Sequence, residues 1–116
     1  MKKIIISATL VVVVFAALAM SPLFKTNLTI TVRDELGNTV DSADVKLFAH
    51  EEDYKKEVNV SYQAFTDAKG VAKFKGLAPI EYYILVRKGD KDNAGGGEKI
   101  GKLEEGKFNK STVVIQ

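Results

Sequence analysis

From residue 25 onward, apolar and polar residues alternate in short runs. Leu28, Ile30 and Val32 fall on one side of an extended segment, and Asn27, Thr29, Thr31 and Arg33 on the other. A period of two is the mark of a strand with one buried face. The pattern recurs over Asp44 to His50, with Val45, Leu47 and Ala49 in phase and Phe48 out of phase. It recurs over Glu57 to Thr66, where Val58, Val60, Tyr62 and Ala64 oppose Asn59, Ser61, Gln63 and Phe65. Val71 to Lys75 is shorter, with Phe74 inward. Tyr82 to Arg87 sets Tyr82, Ile84 and Val86 against Tyr83 and Leu85. Glu98 to Leu103 is a weak strand around Ile100, and Phe108 to Gln116 closes with Val113 and Ile115 against Val114. These seven strands, spaced by roughly ten residues and with no helical period among them, predict an all-β, seven-stranded antiparallel β-sandwich. The last strand is expected to pair with the first, because a terminal strand is ordered only when tied down.

The links are equally readable. Asp34-Glu35-Leu36-Gly37-Asn38 is a turn sequence. In Asp67-Ala68-Lys69-Gly70, Asp bonds its own downstream backbone and Gly takes positive φ. Gly76-Leu77-Ala78-Pro79 makes a corner before the tyrosine pair. Glu51 to Lys56 reads as a solvated charged loop, and Lys88 to Gly97 as a long mobile one.

The first 24 residues differ in kind. Lys2 and Lys3 precede an uncharged apolar run from Ile4. The hydrophobic N-terminal helix so predicted has two readings. Ala17-Leu18-Ala19 fits a secretory signal peptide cleaved after Ala19. Alternatively, Ile4 to Phe24, about 31 Å long as a helix, spans a bilayer as an uncleaved anchor. Both leave the lysines in the cytoplasm and export the remainder. The expected division is 1–24, signal peptide or membrane anchor, and 25–116, sandwich.

Composition narrows the function. There are 17 basic and 15 acidic residues, but Lys2 and Lys3 belong to the leader, which leaves 15 against 15. A formally neutral domain is not expected to bind nucleic acid, which needs a basic surface, although a local patch stays open. The chain has no cysteine, so disulfides, thiolate sites and cysteine nucleophiles are excluded, and the core alone must hold it.

Candidate chemistry is sparse. His50 is the only histidine, and its sequence neighbours Glu51, Glu52 and Asp53 do not converge on it, because adjacent residues on a strand point to opposite faces. Asp90-Lys91-Asp92-Asn93-Ala94-Gly95 resembles part of a calcium loop. The pattern fails at Ala94 and Gly101, where Asp or Asn and Glu are wanted. Asp90, Asp92 and Asn93 remain candidate ligands for a weakly held cation. Ser61 and Ser111 lie on strands with no base nearby, so neither a catalytic set nor a cofactor is expected. Phe48, Phe65 and Tyr83 fall out of phase with their strands. On an outer sheet face they form a candidate partner surface.

Three segments carry a family resemblance. Val32-Arg33-Asp34-Glu35-Leu36-Gly37-Asn38-Thr39-Val40-Asp41-Ser42-Ala43-Asp44-Val45-Lys46-Leu47-Phe48 resembles the opening of a transthyretin-like or carboxypeptidase regulatory-like domain. Thr66 to Leu77 and Ala78 to Val86 resemble its later parts, and collagen-adhesin B-type domains share the layout. The resemblance implies an Ig-like, prealbumin-like sandwich serving as spacer, stalk or binding module. Relatives that form an internal Lys–Asn bond need a lysine and an acid where this chain has Val32 and Val86, so no such bond is expected. The hydrolase branch uses several histidines and a Tyr-Arg-Gly-Ser ending. This chain has one histidine and ends Val113-Val114-Ile115-Gln116. The expectation is therefore a non-catalytic exported module of the cell envelope, structural or binding protein or glycan. It would be periplasmic or otherwise extracytoplasmic, and held at the inner membrane by residues 4–24 if these are uncleaved. The alternative is a small-ligand or cation-binding module using the loop 88–97.

Overall fold

The computed structural model describes residues 25–116. The predicted leader helix, its cleavage site and its membrane role lie outside these residues. Among the described residues, no helix is long and apolar enough to cross a membrane.

The chain runs β1 (Asn27–Asp34), β2 (Asp44–Phe48), α1 (Glu51–Lys56), β3 (Tyr62–Phe65), β4 (Val71–Lys75), β5 (Tyr82–Lys88), β6 (Lys91–Asp92), β7 (Lys99–Ile100) and β8 (Phe108–Ile115). The strands form two facing sheets. One is three-stranded, in the order β4-β1-β8. The other runs β3-β2-β5-β6, with β7 also on β5. The two-sheet sandwich expected from the alternation is thus the observed architecture.

The core lies between the sheets. Leu28, Ile30 and Val32 of β1, Ala72 and Phe74 of β4, and Val113 and Ile115 of β8 line one side. Val45 and Leu47 of β2 and Tyr82, Ile84 and Val86 of β5 line the other. Each is the in-phase residue of its strand, since alternate side chains leave a pleated backbone on opposite faces. Val32 and Val86 are both fully buried within it.

Four details differ from the sequence reading. The closing strand pairs with the first as expected, but in parallel, from Asn27↔Phe108 to Asp34↔Ile115. The sandwich is therefore mixed rather than wholly antiparallel. Glu51 to Lys56 is a short helix rather than a loop. Three acids occupy its first turn and two lysines its last, which suits the helix dipole, and Lys55 reaches Glu51 at 3.0 Å. The third strand begins only at Tyr62, not Glu57. Glu57 and Asn59 take φ of 55° and 54°, which breaks the extended backbone, and Val58 and Val60 are left exposed. Finally, Lys88 to Gly97 is not a simple mobile loop. It contains β6, which turns back on β5, and a buried asparagine.

The turn–corner segment between β3 and β5 fixes how the sheets meet. Asp67 Oδ1 accepts from the N–H groups of Lys69 (2.9 Å) and Val71 (3.0 Å). These bonds hold its carboxyl below the usual range. Gly70 takes φ +75° against the β1–β2 link, where an added Cβ would sit 2.8 Å from Thr39 Cβ. Thr66, buried, donates to the Val40 carbonyl at 2.7 Å and accepts from the Ala43 N–H at 2.8 Å. After the Gly76 corner, Leu77 is buried and its N–H bonds Thr26 O. Tyr82 then returns a hydrogen bond to the corner itself, the tyrosine-corner device of sandwich folds.

Candidate functional site

The outer face of the larger sheet is built in rows. Phe65, Asp44 and Arg87 share one register, Gln63, Lys46 and Leu85 the next, and Phe48, Tyr83 and Lys99 the third. The three out-of-phase aromatics are thus on one face, as their positions predict. They are not one cluster. Phe48 is fully buried, because α1 lies over it and sets Tyr54 edge-on to its ring, with centroids 5.9 Å apart. Tyr54 also stacks on Tyr83 at 5.8 Å, and the Lys99 ammonium sits 5.5 Å from the Tyr83 ring centre. Phe48 therefore cannot touch a partner directly. Its out-of-phase position is explained by a small second core beneath the helix. Phe65 stands two rows away, 63% exposed. Tyr83 is half-buried at the rim.

The cover is locked by polar contacts. Tyr54 donates its phenolic hydrogen to Glu98. Burial first, and the Glu98 carboxylate second, push that phenol well above its ordinary range. Arg87 forms a two-pronged pair with both carboxylate oxygens of Glu57, just past the helix end. Lys99 pairs with Glu81 at 3.4 Å and Lys46 with Asp44 at 3.8 Å. Tyr54 was the residue that sequence reasoning missed. Its signal lies in the acid-to-base order of Glu51-Glu52-Asp53-Tyr54-Lys55-Lys56, which marks a helix with Tyr54 one turn in.

The candidate cation loop divides. Asn93 is wholly buried, and its amide is fully engaged. Oδ1 accepts from the Val86 N–H at 2.9 Å, and Nδ2 donates to the carbonyls of Ile84 (2.8 Å) and Gly97 (2.9 Å). It is a bracket between β5 and the loop, buried away from the surface where a cation would arrive. Asp92 accepts from the Ala94 N–H, in a local turn. Asp90 opens onto a cleft of about 430 Å³ that Asp34 and Asp41 also line. Among the described residues, no group of three His, Cys, Asp or Glu side chains is placed to hold a metal ion. His50 is exposed and caps α1 only through its backbone.

The outer face of the smaller sheet is different in character. Asn27, Thr29, Thr31 and Arg33 of β1 point away from the core. Lys73 and Lys75 of β4 flank them on one side, and Phe108, Lys110 and Thr112 of β8 on the other. Phe108 is 76% exposed and, with Asn27, Thr29, Lys73 and Lys75, borders a shallow cleft of about 270 Å³.

Comparison with known proteins supplies two findings. The family described as "DR_A0283-like, Ig-like domain" matches residues 24–116. The crystal structure of the group B streptococcus pilus 2b backbone protein shares the fold, with a TM-score of 0.57 and 17% identity. The match covers 78% of this chain and 40% of that one. No curated protein sequence matches significantly.

Proposed function

Because the chain belongs to the DR_A0283-like, Ig-like domain family, we propose that it is a non-catalytic structural or adhesion module of the cell envelope. Residues 1–24 would export it, as a cleaved signal peptide or as a retained anchor in the inner membrane. Its partner would be another envelope protein or a glycan.

One observation carries the reading. The chain devotes its interior to a closed apolar core between two sheets, and it shares that fold with a pilus backbone protein over most of its length. In such a fold, binding is left to outer faces and edges. Phe65 supplies an exposed aromatic on one face, with the half-buried Tyr83 at its rim.

The test is chemical cross-linking in intact cells with a surface-restricted reagent, followed by purification of the tagged full-length chain. The expected result is capture of an envelope component that Phe65→Ser or Tyr83→Ser loses while thermal unfolding is unchanged. A chain found only in the cytoplasm would overturn the reading.

A further inference from the structure

The described domain is formally neutral, yet its charges are not evenly spread. On the larger sheet and its helix, Lys56, Lys88 and Lys91 apart, cations are matched locally, as Lys46–Asp44, Lys55–Glu51, Arg87–Glu57 and Lys99–Glu81. On the smaller sheet they are not. Arg33, Lys73, Lys75 and Lys110 all point outward from β1, β4 and β8, and no outward position of these three strands is acidic. None of the four joins a salt bridge among the described residues. Arg33 bonds only a carbonyl, that of Gly37.

The registers place these charges. Lys73 and Lys110 flank Thr29 from opposite sides, about 10 Å apart across two strand spacings. Lys75 stands one outward step from Lys73, about 7 Å along the strand. Like charges at such spacing repel only weakly through salt water, and together they set up a positive field that an anion lying across them would satisfy. Thr29, Thr31 and Thr112 put a row of hydroxyls between the cations. Phe108 ends the row with an open ring beside the cleft that Lys73 and Lys75 line.

We propose that this face binds a linear acidic glycan. Its carboxylates or sulfates would be held by Lys73, Lys75 and Lys110, its hydroxyls by the threonines, and one sugar ring would pack on Phe108. A strip of charge, hydroxyls and one aromatic ring matches a polymer that alternates anionic groups with hydroxyls and C–H faces. A bilayer surface presents the charge without the ring. The proposal rests on the envelope-module reading and names a ligand class for a different face.

The test uses the full-length protein in mild detergent and affinity electrophoresis in gels containing polygalacturonate, dextran sulfate, polyphosphate or neutral dextran. The two acidic glycans should retard the protein, neutral dextran should not, and added salt should weaken the effect. Lys73→Gln with Lys110→Gln should weaken retardation about tenfold, the scale of lost charge complementarity. Phe108→Ser should weaken glycan binding about fivefold, the scale of a lost aromatic contact, and leave polyphosphate retardation unchanged. Three results would each overturn the proposal. One is no retardation by either acidic glycan. Another is retardation unaffected by the lysine pair. The third is binding to phosphatidylglycerol vesicles that exceeds glycan binding and is indifferent to Phe108→Ser. Each leaves cross-linking through Phe65 and Tyr83 intact, so a failure here is separable from a failure of the envelope reading.

Discussion

Tyr82 donates its hydroxyl hydrogen to the carbonyl of Ala78, four residues earlier and 2.9 Å away. The bond joins the first residue of β5 to the corner that launches it. The ring is buried and packs edge-on to Tyr62. Tyr82→Phe keeps the ring and removes the bond, so it should cost roughly 1–2 kcal/mol in urea unfolding. Burial first, and Tyr62 second, push the Tyr82 phenol up to about 12 from 10.0. Between those values the unfolded chain has lost the proton that the folded chain keeps, so stability falls as pH rises from 10 towards 12. Tyr82→Phe should flatten that alkaline decline.

Asp67 gives the opposite limb. Its carboxylate is stabilised in the fold by the Val71 and Lys69 N–H groups, which place its folded value below the ordinary 3.8. Its contribution is complete above the unfolded value and is lost as pH falls through the folded one. Asp67→Asn, which keeps an acceptor but cannot titrate, should show a shallower loss of stability below pH 3.8 than the parent in acid denaturation.

Gly70 is the stricter part of the same turn. Gly70→Ala combines a left-handed backbone with a Cβ driven against Thr39. It should cost about 2 kcal/mol or more, against a few tenths for the same change at an open surface glycine. Chemical denaturation of the purified variant measures the difference.

Asn93→Ala would strand a Val86 N–H and two carbonyls inside the fold. A loss of roughly 3 kcal/mol or more is expected, together with early hydrogen exchange at Val86. A variant as stable as the parent would show that water replaces the amide without cost.

Tyr54→Ala should uncover Phe48 and Tyr83 and release the Glu98 contact. A loss of about 2–3 kcal/mol and new binding of a hydrophobic dye are expected, with the main core intact.

The main sandwich was legible because one buried face imposes a strict period of two. Leu28, Ile30 and Val32, and likewise Tyr82, Ile84 and Val86, have no other consistent explanation. The same rule misled at Val58 and Val60. Glu57 before them and Asn59 between them take positive φ and cancel the alternation, and neither is a glycine that would announce it. The parallel sense of β1 and β8 was not legible, since one-sided alternation reads the same in either direction. Asn93 was hidden for another reason. A buried polar residue in a run of Asp, Lys and Gly looks like any solvated turn until its three partners are seen. Phe48 could be read as out of phase, but what covers it came from a helix only six residues long, too short for periodicity to declare.

The parallel alignment of β1 and β8 has a mechanical consequence. The start of β1 and the end of β8 lie at opposite poles, joined by register from Asn27↔Phe108 to Asp34↔Ile115. A pull applied at those two points drags the strands past each other lengthwise and loads the whole ladder at once, whereas an antiparallel pair pulled at neighbouring ends would unzip rung by rung. Resistance to such a load is governed by the rate of unfolding rather than by equilibrium stability. This geometry suits a link under tension.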